Sequence, residues 1–196
     1  MSSEERIDQI RDAALALFAE RGYLATTMAD IGSAVGIRGP SIYKHVPSKQ
    51  HLLAEIMTAT MRDLQNGFDQ ATASTDDVVD RFRRAVDAHV RFHARRRLEA
   101  FVGTREIRNL EPEPHDQVVA QRTRYENGFR ELIEEGAAAG VFHTRSPKLA
   151  SYAVLDMGMG ISVWYREDGD LAEDALAYAY DDHALRLVGY RQAAGD

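Results

Sequence analysis

The stretch TTMADIGSAVGIRGPSIYKHVPSKQHLL, residues 26–53, decides how this chain folds. Thr27 stands ahead of a short apolar-periodic run, and Asp30 follows three residues later. That is capping-box spacing, in which a hydroxyl at the N-cap and an acid at the third helical position satisfy each other's backbone N–H groups. Met28, Ile31 and Val35 then share one helical face, and Gly36 closes the helix. Pro40, a residue favoured at the first helical position, opens a second short helix. Ile42 and Val46, four apart, face inward there, which leaves Ser41, Tyr43, Lys44 and His45 outside. Pro47 ends it. Ser48 can N-cap a longer helix through Leu52, Leu53, Ile56, Met57, Leu64 and Phe68.

Upstream, Ile7, Ile10, Ala14, Leu17, Phe18 and Arg21 step by threes and fours, so Glu4–Arg21 reads as an amphipathic helix stopped by Gly22. A helix, a short helix, a tight glycine-containing turn and another short helix make a helix-turn-helix. Its second helix normally enters the DNA major groove. Charge points the same way. The chain has 31 Asp+Glu against 24 Lys+Arg, a net charge of −7, yet no acid lies between Asp30 and Glu55. Arg38, Lys44, Lys49, His45 and His51 fall in that window. An acidic protein needs such a local cationic face to meet phosphate, although a bare run of bases is also compatible with an ordinary solvated surface.

Composition excludes several classes. The chain has 196 residues and is 44% hydrophobic, as in a globular protein. It has no apolar run of about 18 residues, so no membrane partner is expected. MSSEERIDQI carries acids where a secretory leader needs bases, and cysteine is absent. A cytoplasmic location is the expectation. No GxSxG, phosphate-cradling glycine loop or cysteine nucleophile is present. The reading is therefore not an enzyme, with no catalytic residue, cofactor or metal.

Residues 5–55 resemble the N-terminal signature of TetR-type transcriptional regulators. The resemblance lies in Thr26-Thr27, Ile31, Gly36, Ile42-Tyr43, His45, Ser48-Lys49 and Leu52-Leu53 in fixed order. It implies that Thr27, Tyr43 and Lys49 touch phosphate. It also implies that Arg38, Gly39, Ser41, Lys44 and His45, on the segment opened by Pro40, approach the bases. Two positions depart from the family pattern. The family commonly has Ser and then a basic residue where this chain has Arg38-Gly39, and Phe where it has Val46.

Beyond Ala54 the chain reads as further helices, which gives an all-α fold. The expected domains are a helix-turn-helix domain at residues 1–48 and an effector-binding and dimerisation domain at 49–196. Phe82, Val86, His89 and His93 form one stripe, Tyr125 and Phe129 another, and Leu155 and Met159 a third. Each mixes apolar bulk with polar groups, as ligand pockets do. LEAFVGTREIRNLEPEP reads as a helix ended by Pro112 and Pro114, and the tail RQAAGD as frayed. In the last two helices Ala150, Ala153, Met157, Gly158, Gly160, Ala175 and Ala179 are small or slim. Such helices pair closely, either with a second copy as a four-helix bundle or inside a monomer core. The TetR resemblance implies a homodimer through these helices, with Trp164 also at the interface.

A second resemblance covers REIRNLEPE, RYENGFRELIEEGAAAGVF and WYREDGDLAEDALAYAYDDHALRLVG. These look like stretches of TetR-type repressors of fatty-acid and steroid catabolism, and imply an acyl-CoA effector whose phosphates meet Arg105, Arg108 and Arg122. The implied function is a repressor released from a palindromic double-stranded operator by a small molecule. A regulator with a different apolar or aromatic effector, or with none, stays open. A third class is a helical metal protein or enzyme, since His89 and His93 have the i, i+4 spacing that holds a metal. Polar residues lining a cavity, or satisfied core histidines, fit the same pattern. Arg95-Arg96-Arg97 is a solvated run or a contact for a phosphate-bearing ligand.

Overall fold

The computed structural model describes residues 3–191, so the tail from Gln192 onward lies outside the described residues. Among those residues every regular element is helical. In order they are α1 (Ser3–Arg21), α2 (Met28–Ala34), a 3-10 helix (Gly39–Lys44), α3 (Lys49–Thr72), α4 (Val78–Arg95), α5 (Arg97–Glu106), a 3-10 turn (Ile107–Asn109), α6 (Pro112–Ala138), α7 (Pro147–Trp164) and α8 (Glu173–Leu187). The fold is all-α, with a helix-turn-helix at its N-terminal end. The chain divides into two compact units. One holds residues up to Met61 together with Leu98–Ala120, and the other holds Arg62–Arg97 together with the residues from Gln121 onward. α3 and α6 each contribute residues to both.

In the first unit α1 buries Ile10, Ala14, Leu17 and Phe18, and the Phe18 and Tyr23 rings meet at 5.3 Å. α1 ends at Gly22 (φ +85) and α2 is followed by Gly36 (φ +71). The capping box is complete. Thr27 Oγ1 accepts the Asp30 N–H at 3.1 Å, and Asp30 Oδ2 accepts the Thr27 N–H at 2.9 Å. Ser48 Oγ likewise accepts the His51 N–H at 3.0 Å at the start of α3.

Two elements differ from expectation. The short helix expected from Pro40 to Pro47 is a 3-10 helix, Gly39–Lys44. So few residues close only a few bonds, and the tighter winding is common in such short pieces. Pro112 and Pro114 do not end a helix but stand in the first turn of α6, where a missing N–H leaves nothing unpaired. α5 instead runs into the 3-10 turn, and Leu110 is extended (φ −71, ψ 142).

In the second unit α4 lies against α7 and α8. Its apolar stripe buries Phe82, Ala85, Val86, His89, Val90 and His93. Charged pairs border that contact. Arg91 meets Asp87, Glu173 and Asp174, Arg95 meets Glu173, and Arg83 meets Asp181, at 2.7–2.9 Å. Half-exposed pairs of this kind contribute little stability, so the buried face carries the packing. The run Arg95-Arg96-Arg97 is engaged within the unit. Arg96 pairs with Asp63 at 3.2 Å, and Arg97 donates to the Ser162 carbonyl at 3.2 Å.

Candidate functional site

The helix-turn-helix presents its expected DNA-facing residues to solvent. Thr27, Arg38, Gly39, Pro40, Ser41, Tyr43 and Lys44 are exposed and His45 is half-buried, with Tyr43 at 56%. Beneath them Ile42 and Val46 are buried, so the 3-10 helix is anchored by one face and free on the other. Gly39 adopts φ +61, a left-handed conformation that residues with a Cβ avoid. In this chain glycine at position 39 lets the backbone take that turn without strain. The Thr27 hydroxyl and backbone N–H hold the Asp30 carboxyl below its usual range.

Lys49 has a structural engagement as well. Its ammonium donates to the carbonyls of Tyr23 at 2.7 Å and Thr26 at 2.6 Å, and lies 4.2 Å from the centre of the Tyr23 ring. Two of its three donors therefore hold the loop ahead of α2, and partial burial holds the group below the usual lysine range. Thr26, the first residue of the Thr26-Thr27 pair, is fully buried. Its hydroxyl donates to the Gly22 carbonyl at 2.9 Å. A buried hydroxyl beside an exposed one in Thr26-Thr27 leaves no signal in the sequence.

The residues expected to bind an effector fall into three places. Phe82, Val86, His89, His93, Tyr125 and Phe129 are all buried in the second unit. They form a closed aromatic cluster rather than an open cavity. Phe68 of α3 fills it, with ring centres 5.9 Å from Tyr125 and 5.1 Å from Phe129, and Phe142 packs 5.2 Å from Phe82. Leu155 contributes its carbonyl, which accepts His89 Nε2–H at 3.1 Å. Met159 is 36% exposed and sits outside the cluster, and Arg122 is half-buried on α6. Arg105 and Arg108 are exposed and belong to the first unit, with the Arg105 guanidinium 4.4 Å from the Phe101 ring centre.

Both histidines are buried, and His89 is a satisfied core group. With Nε2–H donated, His89 Nδ1 accepts the Tyr125 hydroxyl at 3.0 Å, and His93 Nδ1 donates to the His89 carbonyl at 2.8 Å. Both nitrogens of His89 are thus occupied, leaving no lone pair for a metal. Burial holds both rings below the usual histidine range, and the neighbouring His93 lowers His89 further. A Cβ at position 158 would collide with the His89 ring. Gly158 therefore serves the α4–α7 contact inside the unit, and Ala150 is buried there as well.

Among the residues expected at a dimer interface, Trp164 (49%) and Ala175 are exposed, while Ala153, Met157, Gly160 and Ala179 are half-buried. The exposed surface of α7 and α8 is richer in large apolar side chains than in small ones. It includes Leu149, Tyr152, Val163 and Tyr178, the last 75% exposed. The same unit has an open groove of about 590 Å³ lined by Arg83, Arg84, Asp87, Arg91, Tyr178 and Asp181 among others. None of the residues expected to bind an effector lines it.

An anchored 3-10 recognition segment, a capped preceding helix and a separate helical unit define a helix-turn-helix DNA-binding regulator. Comparison with known proteins agrees. Residues 10–56 match the family of bacterial regulatory proteins, tetR family, and residues 75–188 match the tetracyclin repressor-like C-terminal domain. The chain belongs to the TetR family of transcriptional regulators. It is 27% identical over 197 residues to the HTH-type transcriptional repressor KstR2 of Mycolicibacterium smegmatis, covering 97% of this chain and 93% of that one. A crystallised tetR-family regulatory protein from Rhodococcus RHA1 superposes with TM-score 0.89 at 31% identity, over 95% of this chain and 98% of its own. The fold is also that of AibR in complex with isovaleryl coenzyme A and operator DNA (TM-score 0.83, 22% identity, 95% of this chain and 100% of that one). These relatives are regulators rather than enzymes. Among the described residues no helix is long and apolar enough to cross a membrane.

Proposed function

We propose that this protein is a homodimeric TetR-type repressor, released from a palindromic operator by a small-molecule effector, with an acyl-CoA thioester as that effector. The observation that carries the reading is the exposed segment Arg38–His45 on a buried Ile42–Val46 anchor. Ser41, Lys44 and His45 read bases, while Thr27 and Tyr43 meet phosphate, which positions without specifying. Lys49 acts there with its one remaining N–H and otherwise holds the loop. Residues 1–48 form the DNA-reading domain, and residues 49–196 take the effector and form the dimer. The exposed apolar face of α7 and α8 supports a second copy as its cover, since surface patches of this kind mark interaction sites.

The effector enters the second unit among Phe82, Val86, His89, His93, Tyr125, Phe129 and Leu155. The buried His89–Tyr125 pair supplies the few polar groups an otherwise apolar pocket needs. Because that cluster is closed, binding has to open it, and the opened state must be the one released from DNA. A coupling of about 1–3 kcal/mol would weaken operator binding roughly 5–150-fold. Of the candidate partners for the CoA phosphates, Arg122 on α6 belongs to the second unit, whereas Arg105 and Arg108 belong to the first unit. Support for the thioester comes from the resemblance of the C-terminal stretches and from AibR, whose fold this chain shares and which binds isovaleryl coenzyme A.

The test is a titration of isovaleryl-CoA and longer acyl-CoAs, alongside the free acids, against the protein on its DNA. Release by a thioester but not by its acid is the expected result. If no thioester shifts the affinity the acyl-CoA reading is lost, while DNA binding stands on its own. For assembly, Gly160→Arg and Ala179→Arg are expected to sediment as monomers. An intact dimer in both would move the interface elsewhere.

A further inference from the structure

The side chain next to Lys49 has a placement that neither base contact nor effector binding explains. Gln50 is half-buried in the first turn of α3. Its amide nitrogen donates to the Asn109 carbonyl, and its amide oxygen accepts the Glu111 N–H at 3.2 Å. The fork therefore grips the backbone between the 3-10 turn Ile107–Asn109 and the start of α6. The Asn109 side chain donates to Glu106 at 2.6 Å and steadies the same turn. A primary amide suits this place because it offers both a donor and an acceptor, whereas a carboxylate only accepts and an ammonium only donates.

One residue earlier, Lys49 holds the Tyr23 and Thr26 carbonyls. Residues 49 and 50 are adjacent at the head of one helix, so a shift of that first turn moves both grips. We propose that Gln50 is a positioning residue for DNA reading. It fixes the first turn of α3 on the 109–111 backbone, and this fixes the Tyr23–Thr26 loop and the Thr27 cap both through Lys49 and through the Gln50 amide's own hydrogen bond to the Tyr23 side chain. The proposal rests on the DNA-binding reading above and adds to it a residue that touches no DNA. It also gives the 109–111 stretch a role, since α6, which begins at Pro112, carries Tyr125 and Phe129 further along the same helix.

Hydrogen exchange of the free, full-length protein tests the grip without DNA. In Gln50→Ala the amides of residues 24–30 are expected to exchange about tenfold faster, the scale of one lost hydrogen bond. Gln50→Glu keeps the acceptor for the Glu111 N–H and is expected to fall between. Lys49→Met speeds the same amides, and adding Gln50→Ala to it is expected to speed them by less than Gln50→Ala does alone, because part of the Gln50 effect passes through Lys49 and part through its bond to Tyr23. Unchanged exchange at 24–30 in Gln50→Ala overturns the proposal, and so does a double variant whose effect is the product of the single ones.

A second readout uses a duplex selected from a random-sequence pool by the unaltered protein. Gln50→Ala should weaken binding to it about tenfold with the slope of log K against log salt unchanged, since no phosphate contact is lost. A flattened slope would make Gln50 a DNA contact and overturn the indirect role. If the unaltered protein selects no duplex, the DNA-binding reading fails, and the exchange experiment still decides whether the grip exists.

Discussion

The DNA-reading region and the aromatic cluster of the second unit solve opposite problems. Around Thr27–Lys49 the residues that matter are outside, and polar bonds from Thr26, Asp30, Lys49 and Gln50 to backbone groups hold them there. Around His89 the candidate residues are inside, and they form the packing that a ligand would have to disturb. In the first region function and stability rest largely on different side chains, Thr27 and Lys49 being the exceptions. In the second they rest on the same ones. Substitutions should therefore separate binding from folding near Tyr43 and fail to separate them near Phe129.

The largest effect is expected at Phe129→Ala, which empties space between Phe68, His89 and Tyr125. Urea unfolding should show a loss of about 3–5 kcal/mol. A loss below about 1 kcal/mol would mean that the cluster is not a packed core, and the contrast would collapse.

Acid comes next. Unfolded histidine takes up a proton below about pH 6.5, while the buried His89 and His93 rings resist it, their values being held below that range. Unfolding then binds protons, so stability is full above that pH and falls as the pH drops towards the folded values. The slope reaches about 1.4 kcal/mol per pH unit for each ring. Denaturation midpoints between about pH 7.5 and 5 should show this, and His89→Gln should remove part of it. An equal slope in the variant would assign the acid sensitivity to other groups.

Lys44→Ala sharpens the comparison from the other side. Binding to the selected duplex is expected to weaken by about 1–3 kcal/mol with altered base preference, while the unfolding midpoint stays in place. A shift of both together would mean that the recognition segment is structural. The smallest effect is at Thr27→Ala, which removes both the acceptor for the Asp30 N–H and the hydroxyl donor to its carboxylate. About 1 kcal/mol of stability should go with the cap.

The helix-turn-helix was legible in residues 26–53 because caps and breakers act locally. Thr27 with Asp30, Gly36 and Ser48 each do what their spacing predicts. The 3-10 winding of Gly39–Lys44 was not legible, since a short apolar-anchored run reads the same in either helix. Pro112 and Pro114 are ambiguous for a similar reason, as proline both follows one helix and starts the next. The stripe Phe82–Val86–His89–His93 was correctly placed on one face. Whether that face lines a cavity or fills a core depends on Phe68 and Phe142, which come from distant parts of the chain. Lys49 illustrates the same limit. Its position suits a phosphate, and the two carbonyls that accept its hydrogen bonds lie more than twenty residues away and leave no periodic trace.

The chain contains a single tryptophan, and it closes α7 on the exposed apolar face with half its surface in water. Its emission therefore belongs to one place in the molecule. If a second copy covers that face, the indole passes from a wet to an apolar setting and its fluorescence moves to the blue. A simple dilution series would then report association optically, without a label and without altering any residue. Because Trp164 lies in the second unit, the helix-turn-helix contributes no tryptophan signal that could be mistaken for it.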